Sequence, residues 1–187
     1  STFPYSLKDF FLEGTQQVSA SWITLENLSF PYCISINSSY IYEQSTDERI
    51  NQNDAAITLA HELGHYLGLR HVFSEGGTTS MCTDTDYCKD TPSYNRSEYE
   101  QWLNNLDKQK KYQLKDLAKR YSCEKGEYEA HNIMDYAYCF YNEITLEQRK
   151  RIRHILNYSP LIPGPKESRI DTRGVQGRLN LPICIMK

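Results

Sequence analysis

The chain has 187 residues, with 21 lysines and arginines against 24 aspartates and glutamates, a size that suits one domain with a proper core or two lobes around a cleft. This near-even charge, with no basic stripe interleaved with aromatics, argues against nucleic acid as a partner. No apolar run approaches the roughly 20 residues that span a bilayer, so the sequence holds no transmembrane helix.

In chain order, Ser1 to Leu12 lacks the basic start and apolar centre of a signal peptide, so any export signal is expected to have been removed or trimmed away. Leu7 to Leu12 reads as a short helix and Ser21 to Leu25 as a strand. Tyr32 to Tyr42, with Ile34, Ile36, Ile41 and Tyr42 among serines, reads as a strand or hairpin. Asn53 or Asp54 can cap the next helix, which runs through Ala55, Ile57, Leu59, Ala60 and Leu63 to Leu67.

That helix carries His61-Glu62-Leu63-Gly64-His65-Tyr66-Leu67-Gly68-Leu69-Arg70-His71. Histidines four apart stand on one helical face, so His61 and His65 can offer imidazole nitrogens to one ion. Gly68 can adopt the left-handed conformation that ends a helix, turning the chain so that His71 reaches the same ion. Three ligands leave one position open for water. Glu62, beside the first histidine, is the candidate general base that takes a proton from this water. The bland alternative is an amphipathic helix with satisfied histidines. The length of the motif argues against it, since its five fixed identities recur by chance on the order of once per million start positions.

Downstream, Ser74 to Thr91 is a loop with Gly76-Gly77 and the acids Glu75, Asp84, Asp86 and Asp90. Oxygen ligands clustered in a loop are what calcium uses, although the spacing is not that of an EF-hand, and Asp84, Asp86 and Asp90 are the candidate calcium ligands. Asp90-Thr91-Pro92 is a turn. Ser97 to Tyr121 reads as one long charged surface helix, opened by a Ser97/Glu100 capping box and striped by Trp102, Leu103, Leu106, Leu117 and Ala118. Thr145 with Gln148 opens a further helix through Ile152, Ile155 and Leu156, in which His154 is structural. His131 stays unassigned, because as a fourth protein ligand it would displace water. Pro160, Pro163 and Pro165 break regular structure, and Ser168 to Lys187 reads as a tail with one strand near Leu181 to Ile185. Cys33, Cys82, Cys88, Cys123, Cys139 and Cys184 form an even set that suits an oxidising compartment and three disulfides of open connectivity.

With the long zinc motif followed by Asn132-Ile133-Met134-Asp135-Tyr136, the chain resembles a metzincin, whose signature adds a methionine turn beneath the metal. Asp90-Thr91-Pro92, Cys139 and Ile144 to Gln148 resemble the pappalysin branch, and the whole is similar to predicted zinc metalloproteinase lipoproteins of gut Bacteroidetes. The resemblance runs from about Cys33 to Leu156. It implies an α+β fold in two lobes, with the active-site helix under a twisted mixed sheet and a smaller helical or irregular lower lobe. Residues 1–187 would then form a single catalytic domain: 1–70 the upper lobe, 71–158 the lower, 159–187 an extended tail. Only sixty residues precede His61, so the upper lobe is expected to lack its first strands.

The resemblance further implies Zn²⁺ at His61, His65 and His71, a Met134 floor under them, a Tyr136 hydroxyl at the substrate oxyanion, and calcium nearby. A peptide or protein substrate would lie extended along a strand of the Tyr32 to Tyr42 segment. The expected activity is zinc-dependent endopeptidase action on extracellular or periplasmic proteins, in an extracytoplasmic protein that is secreted, periplasmic or held by a lipid anchor upstream. The rival is a non-catalytic, zinc-stabilised peptide-binding module, or an inactive fragment. The intact Glu62 argues against it, and the missing strands argue for it.

Overall fold

The computed structural model describes residues 5–7, 12–22, 24, 26–27, 33–36, 54–75, 80–122 and 124–158. Its elements run β1 (Tyr5–Leu7), β2 (Gln16–Val18), a 3-10 turn (Ala20–Trp22), α1 (Ala55–Tyr66), α2 (Arg96–Asn104), α3 (Leu114–Leu117), β3 (Lys119–Ser122), β4 (Gly126–Glu129) and α4 (Leu146–Tyr158). β1 and β2 pair in parallel with Tyr5 opposite Gln16, and β3 and β4 form an antiparallel hairpin with Arg120 opposite Tyr128. Helices beside small sheets make the α+β class expected from the sequence.

α1 starts where Asp54 accepts the N–H groups of Ala56 and Ile57, at 2.8 and 3.3 Å, satisfying two donors that the first turn leaves orphaned. It stops at Gly68, whose φ of 89° lies in the left-handed region. Space as well as conformation demands glycine there, since a Cβ would come within 2.8 Å of Ile155 Cγ1 on α4. Arg151 of α4 donates Nε and Nη2 to the Gly68 carbonyl at 3.3 Å and Nη1 to the Glu13 carbonyl at 3.1 Å. Arg70 donates to the Gly14 carbonyl at 2.8 Å, so the turn after α1 is tied to both α4 and the N-terminal segment. α4 opens as the sequence predicts, with Thr145 and Gln148 exchanging backbone and side-chain hydrogen bonds. The core gathers Leu69, Val72, Phe73, Tyr94, Tyr99 and Met134 beneath α1.

Several local expectations give way. Leu7 ends β1 instead of opening a helix, and Ser21 and Trp22 lie in the 3-10 turn, where Trp22 packs edge-on to Tyr5 at 4.9 Å between centroids. Of Tyr32 to Tyr42, only Cys33 to Ile36 is described, and it forms no ladder. The long helix over Ser97 to Tyr121 breaks into α2, a turn, the short α3 and β3. Asn95 rather than Ser97 caps α2, accepting the Glu98 N–H at 3.1 Å. At the break Arg120 is buried and donates to the Leu117 and Lys119 carbonyls, which a continuing helix would hold, and to the distant Tyr136 carbonyl. The tail from residue 159 lies outside the described residues.

Three disulfides are also overturned, since Cys33, Cys88 and Cys139 are free. Cys139 is buried with its Sγ donating to the Ala130 and Asn132 carbonyls at 3.2 and 3.3 Å, and burial pushes both the Cys88 and Cys139 thiols up to about 12. Among the described residues only Cys82 is disulfide-bonded.

The acidic loop is held by its own carboxylates. Asp84 accepts the N–H groups of Asp86 and Tyr87, Asp86 accepts the Cys88 N–H and the Thr91 hydroxyl, and Asp90 accepts the Glu147 N–H in the first turn of α4. Burial pushes the Asp86 carboxyl up to about 7, against the pull of the Thr91 and Cys88 hydrogen bonds, with Asp84 adding to the rise.

A carboxyl whose folded pKa lies above its ordinary 3.8 stabilises the fold fully below that value, and the contribution is lost as pH rises through about 7. Asp86→Asn should therefore flatten the fall in Tm between about pH 4 and 7 relative to wild type. Parallel Tm–pH curves would refute this. At Gly64 on α1 a Cβ would sit 2.4 Å from Met134 Sδ, a fully buried side chain. Gly64→Ala should cost about 1–3 kcal/mol by denaturant unfolding, and less in a Met134→Ala background.

Candidate metal centre

His61 and His65 lie one turn apart on the buried face of α1, and the Gly68 turn brings His71 back to them. His71 Nε2 stands 3.2 Å from His61 Nε2 and 3.0 Å from His65 Nε2. Each ring is held by its other nitrogen. His61 Nδ1 donates to the Ile133 carbonyl at 2.7 Å, His65 Nδ1 to the Leu69 carbonyl at 2.9 Å, and His71 Nδ1 to the Glu75 carboxylate. A carbonyl or carboxylate can only accept, so each Nδ1 carries the proton and each Nε2 presents a lone pair to the same point.

This arrangement fits a metal. Three lone pairs at such separations repel one another, whereas a cation between them turns the repulsion into bonding. Tetrahedral zinc–imidazole bonds of about 2.0–2.1 Å put nitrogens about 3.3 Å apart, close to the spacing here. Burial lowers the pKa of His61 and takes that of His65 down to about 4, so both rings are neutral near pH 7, as ligation requires. Among the described residues, this is the group of histidine, cysteine and acidic side chains that could hold a metal ion.

Around the triad, Met134 is fully buried against Gly64 of α1, and its carbonyl accepts the Val72 N–H at 3.3 Å. The Tyr136 ring lies 4.4 Å from His71 and 5.4 Å from His61, and the side chain is 39% exposed. Burial raises the Tyr136 pKa, so its hydroxyl keeps the proton at neutral pH; the nearby Arg96 charge opposes the rise, while Glu62 and Glu75 add to it. Glu62 is half-buried beside His61, and its negative charge acts on both His61 and Tyr136.

Other candidates do not join them. Asp84, Asp86 and Asp90 each accept backbone or hydroxyl donors, and the Asp84 and Asp86 carboxyls also face one another. His131 stacks on Phe140 at 4.6 Å and pairs its Nδ1 with Asn142 at 3.0 Å.

Three residues gain a place that sequence reasoning missed. Glu75 reads in sequence as one loop acid among four, and its separation of four from His71 is the available signal. Arg96 lies over the Phe73 and Tyr136 rings at 4.8 and 4.9 Å, with nothing in its sequence context to say so. Arg120 is buried and donates Nη2 to the Tyr136 and Tyr138 carbonyls at 3.1 and 3.0 Å, with Nε 3.5 Å from the Asp135 carboxylate.

Comparison with known proteins places the chain among metalloproteases. The family model described as pregnancy-associated plasma protein-A, peptidase M43, matches residues 22–157. Extracellular metalloproteases of Arthroderma benhamiae and Trichophyton verrucosum are each 37% identical over 108 residues, which cover 56% of this chain and 32% of each relative. That of Arthroderma otae is 37% identical over 108 residues and 33% of its length. The matched part thus spans about a third of these relatives. No solved structure matches the chain. With three histidines that could hold a metal and a family match over most of its length, the chain belongs to the peptidase M43 family of pappalysin-like metalloproteases.

Proposed function

We propose that this chain is a metzincin-type zinc endopeptidase unit that hydrolyses peptide bonds of extracytoplasmic proteins. The observation that carries the reading is the convergence of three proton-free Nε2 atoms, from His61, His65 and His71, with Glu62 on the same helix. These three histidines would hold zinc, which when bound would supply a Lewis acid for the scissile carbonyl and the water. Glu62 takes the proton of the attacking water and delivers it to the leaving amine. The protonated Tyr136 hydroxyl donates to the oxyanion of the tetrahedral intermediate, a contact worth about 3–4 kcal/mol in comparable sites. Met134 supports the histidines from below without a chemical role. Glu75, on His71 Nδ1, raises the basicity of that ligand and fixes its ring.

The substrate is a peptide or protein bound extended, so that main-chain hydrogen bonds supply affinity independent of sequence. The extracellular relatives support a location outside the cytoplasm, and among the described residues no helix is long and apolar enough to cross a membrane.

Glu62→Ala should keep stoichiometric zinc by elemental analysis while losing about 10²–10⁴-fold in peptide turnover, whereas His65→Ala should lose both. Cleavage by Glu62→Ala at the wild-type rate would end the mechanism, and zinc retention without cleavage by the wild type would favour a binding module. Glu75→Gln should weaken zinc about 10–100-fold in competition with a chelator while leaving the far-ultraviolet circular dichroism unchanged. Unaltered zinc affinity would limit Glu75 to loop structure.

A further inference from the structure

We propose that Arg96 determines substrate choice, favouring a carboxylate close to the scissile bond, an inference that rests on the endopeptidase reading above. Arg96 opens α2, and its guanidinium lies over two rings of the wall beside the triad, 4.8 Å from the Phe73 centroid and 4.9 Å from that of Tyr136. Both rings in turn pack on His71, at 4.8 and 4.4 Å. The cation therefore stands one aromatic ring away from a histidine of the centre.

Its hydrogen bonds set it apart from the other arginines tied to the site. Arg120 spends both Nη groups, and Arg151 all three guanidinium nitrogens, on backbone carbonyls, and both are buried. Arg96 gives Nε to Glu100 at 2.6 Å, and among the described residues Nη1 and Nη2 make no hydrogen bond. Its side chain is 31% exposed. An exposed arginine in an i,i+4 pair with glutamate is ordinarily a solvated surface group worth little. Its place over both the Phe73 and Tyr136 rings, themselves tilted 56° to one another, is what departs from that: it confines the guanidinium and takes away much of the rotamer freedom that a ligand would otherwise have to overcome. A planar fork fixed at one end, with two nitrogens free at the other, matches a carboxylate bidentately. The ligand class is an aspartate or glutamate side chain near the cleaved bond, or a free C-terminal carboxylate a few residues beyond it.

The test uses the zinc-loaded full chain and C-terminally amidated peptides on one core, with Glu or Gln walked through the positions on either side of the cleaved bond. A second set carries a free C-terminus, and both sets are also titrated against zinc-loaded Glu62→Ala by fluorescence anisotropy. One position should favour Glu over Gln about tenfold in kcat/KM and in affinity. Arg96→Met should abolish the preference, and Arg96→Lys should restore only a small part of it. A preference confined to the free C-terminal carboxylate supports the same recognition with the other source. The proposal falls if no carboxylate is favoured, if the preference survives Arg96→Met, or if that variant lowers Glu and Gln peptides equally, which would make Arg96 a positioning residue for Tyr136. Absence of turnover on every peptide would remove the endopeptidase reading, while the binding ratio on Glu62→Ala would still decide the carboxylate preference.

Discussion

The hydrogen bond from His61 Nδ1 to the Ile133 carbonyl, 2.7 Å long and closing 72 residues of sequence, is the constraint on which the centre depends. It fixes the His61 tautomer and joins α1 to the turn that carries Met134. The acceptor is itself held in place: Ile133 N–H donates to the Glu143 carbonyl at 3.0 Å, and the neighbouring Asn132 exchanges two amide hydrogen bonds with Gln148 at 2.8 and 3.0 Å. Gln148 is buried and also caps α4, so one side chain starts a helix and steadies the loop under the histidines. Buried amides paired in this way are costly to break singly, because each leaves a partner unsatisfied.

A second buried network holds the other side of that turn. Asp135 accepts the Tyr94 hydroxyl and the Tyr136 N–H, both at 2.7 Å, and faces Arg120. Burial raises the Asp135 pKa, and the Arg120 charge and the Tyr94 hydrogen bond pull it back. Arg120 Nε lies 3.5 Å from the carboxylate and makes no hydrogen bond, so that contact is electrostatic, whereas the Nη groups bond to carbonyls. The desolvation cost of two buried ions offsets the attraction between them. The effect of the pair is geometric: Arg120 holds the carbonyls of Tyr136 and Tyr138 and lies over Tyr99 at 3.6 Å, coupling β3, α2 and the segment after Met134.

The wall above the centre is thus aromatic, threaded by two guanidinium groups that do different things. Arg120 is sealed in and sets backbone positions, while Arg96 lies on Phe73 and Tyr136 with part of its surface in water. The triad is tuned by the same contrast. Burial lowers the pKa of His61 and His65 and keeps them neutral, while Glu75 sets a negative charge against the more accessible His71. The cluster therefore combines two carbonyl-anchored histidines with one anchored by a carboxylate.

What the sequence by itself determined is whatever local geometry dictates. Two histidines four apart on a helix share a face, a glycine beyond them turns the chain, and Asp54 and the Thr145/Gln148 pair start helices. Those rules act over four or five residues, so they were legible without a fold. The same local reasoning failed where distant packing overrode propensity: Arg120 drew its segment out of a helix, Trp22 packed on Tyr5 in a turn, and Cys88 and Cys139 were buried as thiols. Only the tertiary structure decided which groups hold the three Nδ1 atoms, that the acids of the loop serve backbone donors, and that Arg96 lies on the wall of the site. Each of these joins residues far apart in the chain or partners chosen by how loops pack. No periodicity encodes such pairings, because their energy comes from burial and hydrogen bonds that exist only once the elements have met.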